Sequence, residues 1–224
     1  MPQRPVVLAN NEIYHVFNRS IAGENIFARN QKVNLNKALE IVNYYRFLQK
    51  IRLSRFKLLP VQLKKQYLDA IGSTIPLVEI YVFAFMSNHF HFLLKQMQDK
   101  GISGFISNFQ NSFAKVFNLK NNRNGALFQN AFKAKRVVTE EQFIHVSRYI
   151  HLNPVTSYLI EFDKLSSFEW TSFPVYSTRE QKPFINTDFL LKMFGSREKY
   201  VKFVADQVDY QRELASIKDF IMEQ

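Results

Sequence analysis

From Leu77 to Met86 the chain is almost continuously apolar, and no stripe of helical period runs through it. Bounded by Pro76 and by Ser87-Asn88, such a run predicts a buried strand. Ser87-Asn88 suits a tight turn, and His89 to Lys95 then reads as the returning strand of an antiparallel hairpin. Upstream, Ile13-Tyr14-His15-Val16-Phe17-Asn18 is aromatic and β-branched, which predicts a first strand, with Arg19 to Glu24 as a loop around Gly23. Leu35, Leu39, Val42, Tyr45 and Leu48 recur at three- and four-residue steps, the period of a helix, with Asn30 or Asn34 as its cap. The stretch Lys50 to Pro76 begins basic and reads as an insertion. Within it Leu63, Tyr67, Leu68 and Ile71 predict a short helix ending at Gly72.

Past the hairpin, Phe105, Ile106, Phe109, Phe113, Val116 and Phe117 mark a helix over Ile102 to Leu119, and Asn121 to Gly125 is a loop. Phe132 to Val138 predicts a strand with Lys133 and Lys135 pointing outward. Thr139-Glu140-Glu141-Gln142 is a capping-box pattern. The helix it opens carries Phe143, Val146, Tyr149 and Ile150, and Pro154 is expected to end it. Phe168 to Ser172 is loop-like. Helical patterns follow at about Thr187 to Phe194, from Ser196 through Val204, and at Leu214 to Met222. This order of elements predicts an α+β fold, an antiparallel sheet with helices on one face.

Composition narrows the classes of function. A chain of 224 residues that is 46% hydrophobic has enough apolar material for a sizeable core. Most of its 23 phenylalanines belong in that core, and some are available as stacking platforms for bases. A net charge of +11 points to a polyanionic partner. With no cysteine, a disulfide scaffold, a thiolate zinc site and a cysteine nucleophile are all excluded. The first ten residues do not form a secretory signal, and no stretch is long and apolar enough for a membrane span. The expectation is a cytoplasmic protein.

The chemistry concentrates in two stretches. On a strand, His89 and His91 point to one face. Two imidazoles so placed fit a shared divalent ion, Mg²⁺ or Mn²⁺ with substrate phosphate filling the open positions. They also fit a hydrogen-bonded pair in a sheet. Tyr149 and Asn153 lie four apart on a predicted helix and neighbour each other. They fit a nucleophile beside a neutral oxygen ligand, and equally an aromatic core residue beside a helix stop.

The segments Tyr14-His15-Val16-Phe17-Asn18-Arg19, Phe85 to Leu94, Gly125-Ala126-Leu127-Phe128-Gln129, Phe132-Lys133 and Tyr149 to Val155 stand in a recognisable order. Together they resemble the single-tyrosine HUH transposases, in particular the REP-associated tyrosine transposase-like branch, over roughly residues 10 to 175. The resemblance implies an RRM-like, ferredoxin-like sheet. It implies a catalytic domain over 1–175 with a helical basic insertion at about 45–76, and a helical C-terminal extension over 176–224. His89 and His91 would hold the metal with Asn153 as third ligand. Tyr149 would attack single-stranded DNA, forming a 5′-phosphotyrosine link and freeing a 3′-hydroxyl, and hairpin DNA would be recognised. His15 and His151 would support the site rather than ligate, and His145 lies one turn before Tyr149.

Three places depart from the pattern. Ser87 stands where proline is common, Asn130-Ala131 replaces Gly-Arg before Phe132-Lys133, and Thr156-Ser157-Tyr158-Leu159 replaces Arg-Ala-Gly-Leu. The basic candidates for DNA contact are Arg19, Lys95, Arg123, Lys133, Lys135, Arg136 and Arg148. Two other readings compete, a non-catalytic RRM-like nucleic-acid-binding protein and a metal-dependent hydrolase using water. The sequence leaves open whether one chain completes the site or a homodimer exchanges the tyrosine helix.

Overall fold

A computed structural model describes residues 6–28, 32–178 and 180–208. Among these, four strands form one antiparallel sheet in the order β2-β3-β1-β4. The strands are β1 (Ile13–Arg19), β2 (Val78–Met86), β3 (His89–Gln96) and β4 (Lys133–Val137). The helices are α1 (Lys32–Tyr45), α2 (Leu53–Phe56), α3 (Val61–Gly72), α4 (Gly101–Lys120), α5 (Glu140–Thr156), α6 (Phe173–Ser177), α7 (Asp188–Phe194) and α8 (Arg197–Ala205). The cap expected at Asn30 and the helical pattern at Leu214 to Met222 lie outside the described residues.

Register decides which side chains meet. Tyr14, Val16 and Asn18 of β1 stand opposite Leu94, Phe92 and Phe90 of β3 and share one face of the sheet. That face is buried under α4, whose Phe105 and Phe109 rings meet Phe92, Phe90 and Phe85 at 5.2–5.9 Å. α1 packs beside α4 and buries Leu35, Ala38, Ile41 and Val42. Gly101 is fixed by this packing, because a Cβ there would come within 2.2 Å of the Leu77 carbonyl oxygen at the entry to β2.

The alternate residues, His15, Phe17 and Arg19 opposite Leu93, His91 and His89, form the second face. The expected α+β sheet with helices packed on a face is present, and a further helix covers this second face. α5 lies across this second face, against β2 and β3, with Tyr149 ring-to-ring with His15 and His91. The cause is β2. Its buried apolar residues lie on both faces, so the sheet needs cover on both at that edge. A bulge between Ile80 and Val82 admits Tyr81, whose ring packs on Phe143 of α5.

α5 also runs past the proline expected to stop it. Pro154 sits in its last turn and the helix ends at Thr156. So near the end only one intrahelical bond is forgone, and the Pro154 carbonyl accepts from Leu159 N at 2.9 Å. The capping box forms, with Thr139 Oγ1 accepting from Gln142 N at 3.1 Å and Gln142 Oε1 from Val138 N at 2.8 Å.

Candidate active site

Strand parity brings three histidines together. The rings of His89 and His91 are 5.1 Å apart. His15, diagonally across the ladder on the same face, places its Nε2 2.9 Å from His91 Nδ1. His89 Nδ1 lies 2.7 Å from Asn88 Oδ1, a carbonyl oxygen that can only accept, so Nδ1 carries the proton and Nε2 keeps a free lone pair. His91 reaches the same state when its Nδ1–H donates to His15 Nε2.

These imidazoles are neutral at physiological pH. Burial pushes His89 down to about 4, helped by the positive charge of Arg19. Burial, then Lys135, takes His15 to about 4. His91 lies well below its usual range through burial, then His15, His89 and Arg19. A neutral imidazole is the ligating form.

α5 delivers the remaining groups. The Tyr149 ring meets His15 and His91 edge-on, each at 5.9 Å, and the residue remains 41% exposed. Burial of its hydroxyl raises the pKa, with Arg19 and the adjacent Asn153 side chain pulling the other way. Asn153, one turn on, is buried, and its Nδ2 has no acceptor in hydrogen-bonding geometry. Amide oxygen and nitrogen exchange places by a half-turn of the side chain. The orphaned position therefore suits an oxygen facing a cation. Among the described residues, no three His, Cys, Asp or Glu side chains are grouped to hold a metal ion. A donor set of two neutral imidazoles and one amide oxygen fits Mg²⁺ or Mn²⁺ completed by phosphate and water.

The basic candidates separate. Arg19 is exposed at the end of β1, opposite His89. Lys133 and Lys135 are exposed on β4, opposite Phe17 and His15, so they border the histidine face. Lys95 shares that face at the far end of β3, opposite Ile13. The others are engaged. Arg123 pairs with Glu24 at 2.8 Å and donates to Asn118 and Ala126. Arg136 points to the opposite face and pairs with Glu12. Arg148 is buried, with its guanidinium carbon 4.1 Å from the centre of the Phe203 ring.

Sequence reasoning passed over Phe17 as a site residue. It is half-buried between the His15 and His91 rings, at 5.0 and 5.6 Å, beside the lysines of β4. Its parity with His15 was the available signal.

Residues 51–153, which include His89, His91, Tyr149 and Asn153, match the family described as "Transposase IS200 like". This segment is similar to the IS200-like transposases. The chain is also similar in fold to a solved structure described as the REP-associated tyrosine transposase bound to a REP hairpin. That likeness has 14% identity and a TM-score of 0.54, and covers 82% of this chain and 90% of the other. No curated protein matches the chain. Among the described residues, no helix is long and apolar enough to cross a membrane.

Proposed function

We propose that the chain is a metal-dependent, single-tyrosine DNA transposase acting in the cytoplasm, which cleaves and rejoins single-stranded or hairpin DNA. The observation that carries this reading is the meeting of Tyr149 with His91 and His15 within one chain. A candidate nucleophile sits beside one ligating imidazole, His91, and beside His15, which supports it, and a binding module needs neither.

Tyr149 is a weak nucleophile as it stands. Even at an ordinary phenol pKa of about 10, only about one molecule in a thousand is ionised at neutral pH. His89, His91 and Asn153 would hold a divalent ion, which would supply Lewis-acid stabilisation of charge on the scissile phosphate. His15 fixes the tautomer and orientation of His91. Asn88 does the same for His89. Arg19 places positive charge beside Tyr149 and the histidines, where it favours both the phenolate and the approaching phosphate. Tyr149 Oη bonds to phosphorus while the bond to the 3′-oxygen breaks. The phenol proton passes to solvent and the 3′-oxygen leaves as a hydroxyl. Attack by a 3′-hydroxyl on the 5′-phosphotyrosine reverses the step and releases Tyr149, with no external energy source. The open strip of sheet formed by β1 and β4, with Phe17, Lys133 and Lys135, lies where a single strand would run, with Phe17 available to stack on a base.

The test is incubation with Mn²⁺ or Mg²⁺ and labelled, hairpin-flanked single-stranded DNA. The expected product is a denaturation-resistant protein–DNA adduct that vanishes in Tyr149→Phe while DNA binding persists. Cleavage without an adduct would move the reading to a water-using hydrolase. Binding without cleavage across many substrates would leave an RRM-like binding protein.

A further inference from the structure

α5 is gripped on the side away from the histidines. Ser147 and His151, one turn apart and both buried, face α8 and the segment before α6. His151 Nδ1 lies 2.7 Å from Tyr200 Oη, and its Nε2 lies 2.8 Å from Ser172 Oγ. Ser172 Oγ accepts from Phe83 N of β2 at 2.9 Å. Neutral His151 satisfies this arrangement when Tyr200 O–H donates to Nδ1 and Nε2–H donates to Ser172 Oγ. A single hydrogen-bonded line thus runs from β2 through α5 to α8. The Tyr200 hydroxyl also lies 3.2 Å from Ser147 Oγ.

A second attachment lies beside it. Arg148 stacks on Phe203 of α8 and donates from Nη1 to the Phe203 carbonyl at 3.4 Å. Its Nη2 lies 2.8 Å from His145 Nδ1. Phe189 of α7 meets Phe143 in the first turn of α5, with ring centres 5.0 Å apart. Both ends of the helix are therefore fastened to the C-terminal extension, on the side opposite Tyr149.

We infer that α7 and α8 form a clamp that holds the tyrosine helix against its own chain's histidines, with Tyr200 and Arg148 as positioning residues for Tyr149. The charge of Arg148 serves this attachment and not DNA. The inference rests on the function proposed above, because positioning matters only if Tyr149 reacts. A nucleophile must sit within a fraction of an ångström of its line of attack, and about 1 Å of misplacement costs about a hundredfold in rate. A helix held only by its sheet-facing side would lose that precision.

The lack of cysteine makes a direct test available. Spin labels on Glu141→Cys in α5 and Lys115→Cys in α4, both exposed, report the distance across the sheet. With the clamp intact we expect one narrow distance distribution, and in Tyr200→Phe with Arg148→Met a broadened one. An unchanged narrow distribution in that variant would overturn the clamp. Tyr200→Phe removes one oxygen and keeps the ring, so it serves alone if the double variant does not fold. With DNA present, Tyr200→Phe is expected to slow single-turnover adduct formation about tenfold or more, with DNA affinity unchanged. Mixing Tyr149→Phe with His91→Ala is expected to give no adduct, and recovery of activity in that mixture would place the helix in a partner chain. If the unaltered protein forms no adduct on any DNA, the proposed function fails. The spin-label result still decides the clamp.

Discussion

A histidine that ligates a metal does so through one nitrogen, and the other sets its direction. In this site the second nitrogens of His89 and His91 are both occupied, by Asn88 and His15. We therefore expect His89→Ala to abolish Mn²⁺ binding, and His15→Ala to weaken it about 10- to 100-fold, measured by electron paramagnetic resonance of free Mn²⁺. Protonation competes with the metal, and burial has lowered His89 and His15 to about 4. Mn²⁺ affinity should thus hold from pH 8 down to about pH 5, where a solvent-exposed pair would fail near 6.5. At this scale the sequence was informative wherever alternation along a strand governs. His89, His91, Lys133 and Lys135 fall on the site face because the period is two. It was silent on which arginines are already engaged, since Arg123, Arg136 and Arg148 find their partners through tertiary packing with no fixed spacing.

Among the elements, α5 carries Tyr149 and Asn153, and its exit is strained. Tyr158, just past its end, has φ of 53° in the left-handed region. The resembling family has glycine there. A tyrosine in place of that glycine is therefore a backbone cost of about 1–2 kcal/mol. Tyr158→Gly should raise the stability by up to about 1 kcal/mol in chemical denaturation, once glycine's greater freedom in the unfolded chain is set against the relief. His151 couples the same helix to pH. Burial lowers it to about 3 in the folded protein, against 6.5 in the unfolded chain. The unfolded state binds the proton first, so the contribution is intact above pH 6.5 and is lost as pH falls toward 3. By pH 5 this one residue should remove about 2 kcal/mol, and His151→Asn should flatten the dependence between pH 7.5 and 5. Periodicity revealed the helix, its cap and its apolar stripe. The second buried side escaped notice because Ser147, His151 and Arg148 are polar, and their partners lie far along the chain.

For the molecule as a whole, the net charge is +11, and four of the seven basic candidates, Arg19, Lys95, Lys133 and Lys135, fall on the histidine face. Binding to single-stranded DNA should track residues on that face. With Arg19, Lys133 and Lys135 as the phosphate contacts, log affinity should fall with log salt at a slope of about −2. Lys135→Gln should reduce that slope by about 0.7, and Arg136→Gln should leave it unchanged, as read by fluorescence anisotropy titrations. In the layer of helices, α4 was legible from its phenylalanine stripe and α1 from the spacing of Leu35, Leu39, Val42 and Tyr45. The cover on the second face was not, because a continuous apolar strand announces burial without saying what buries it. The two rims of the sheet are finished differently. β2 is sealed by short bridges from Ile80 to Ile185 and from Ala84 to Thr171. On β4 the neighbour pairs only through β1, leaving an outer row of backbone donors and acceptors with lysines alongside. Such lysines discourage two molecules from joining edge to edge. On the function proposed above, the lysines that would contact DNA also disfavour edge-to-edge association, and stripping them of charge would trade solubility for a cleaner binding measurement.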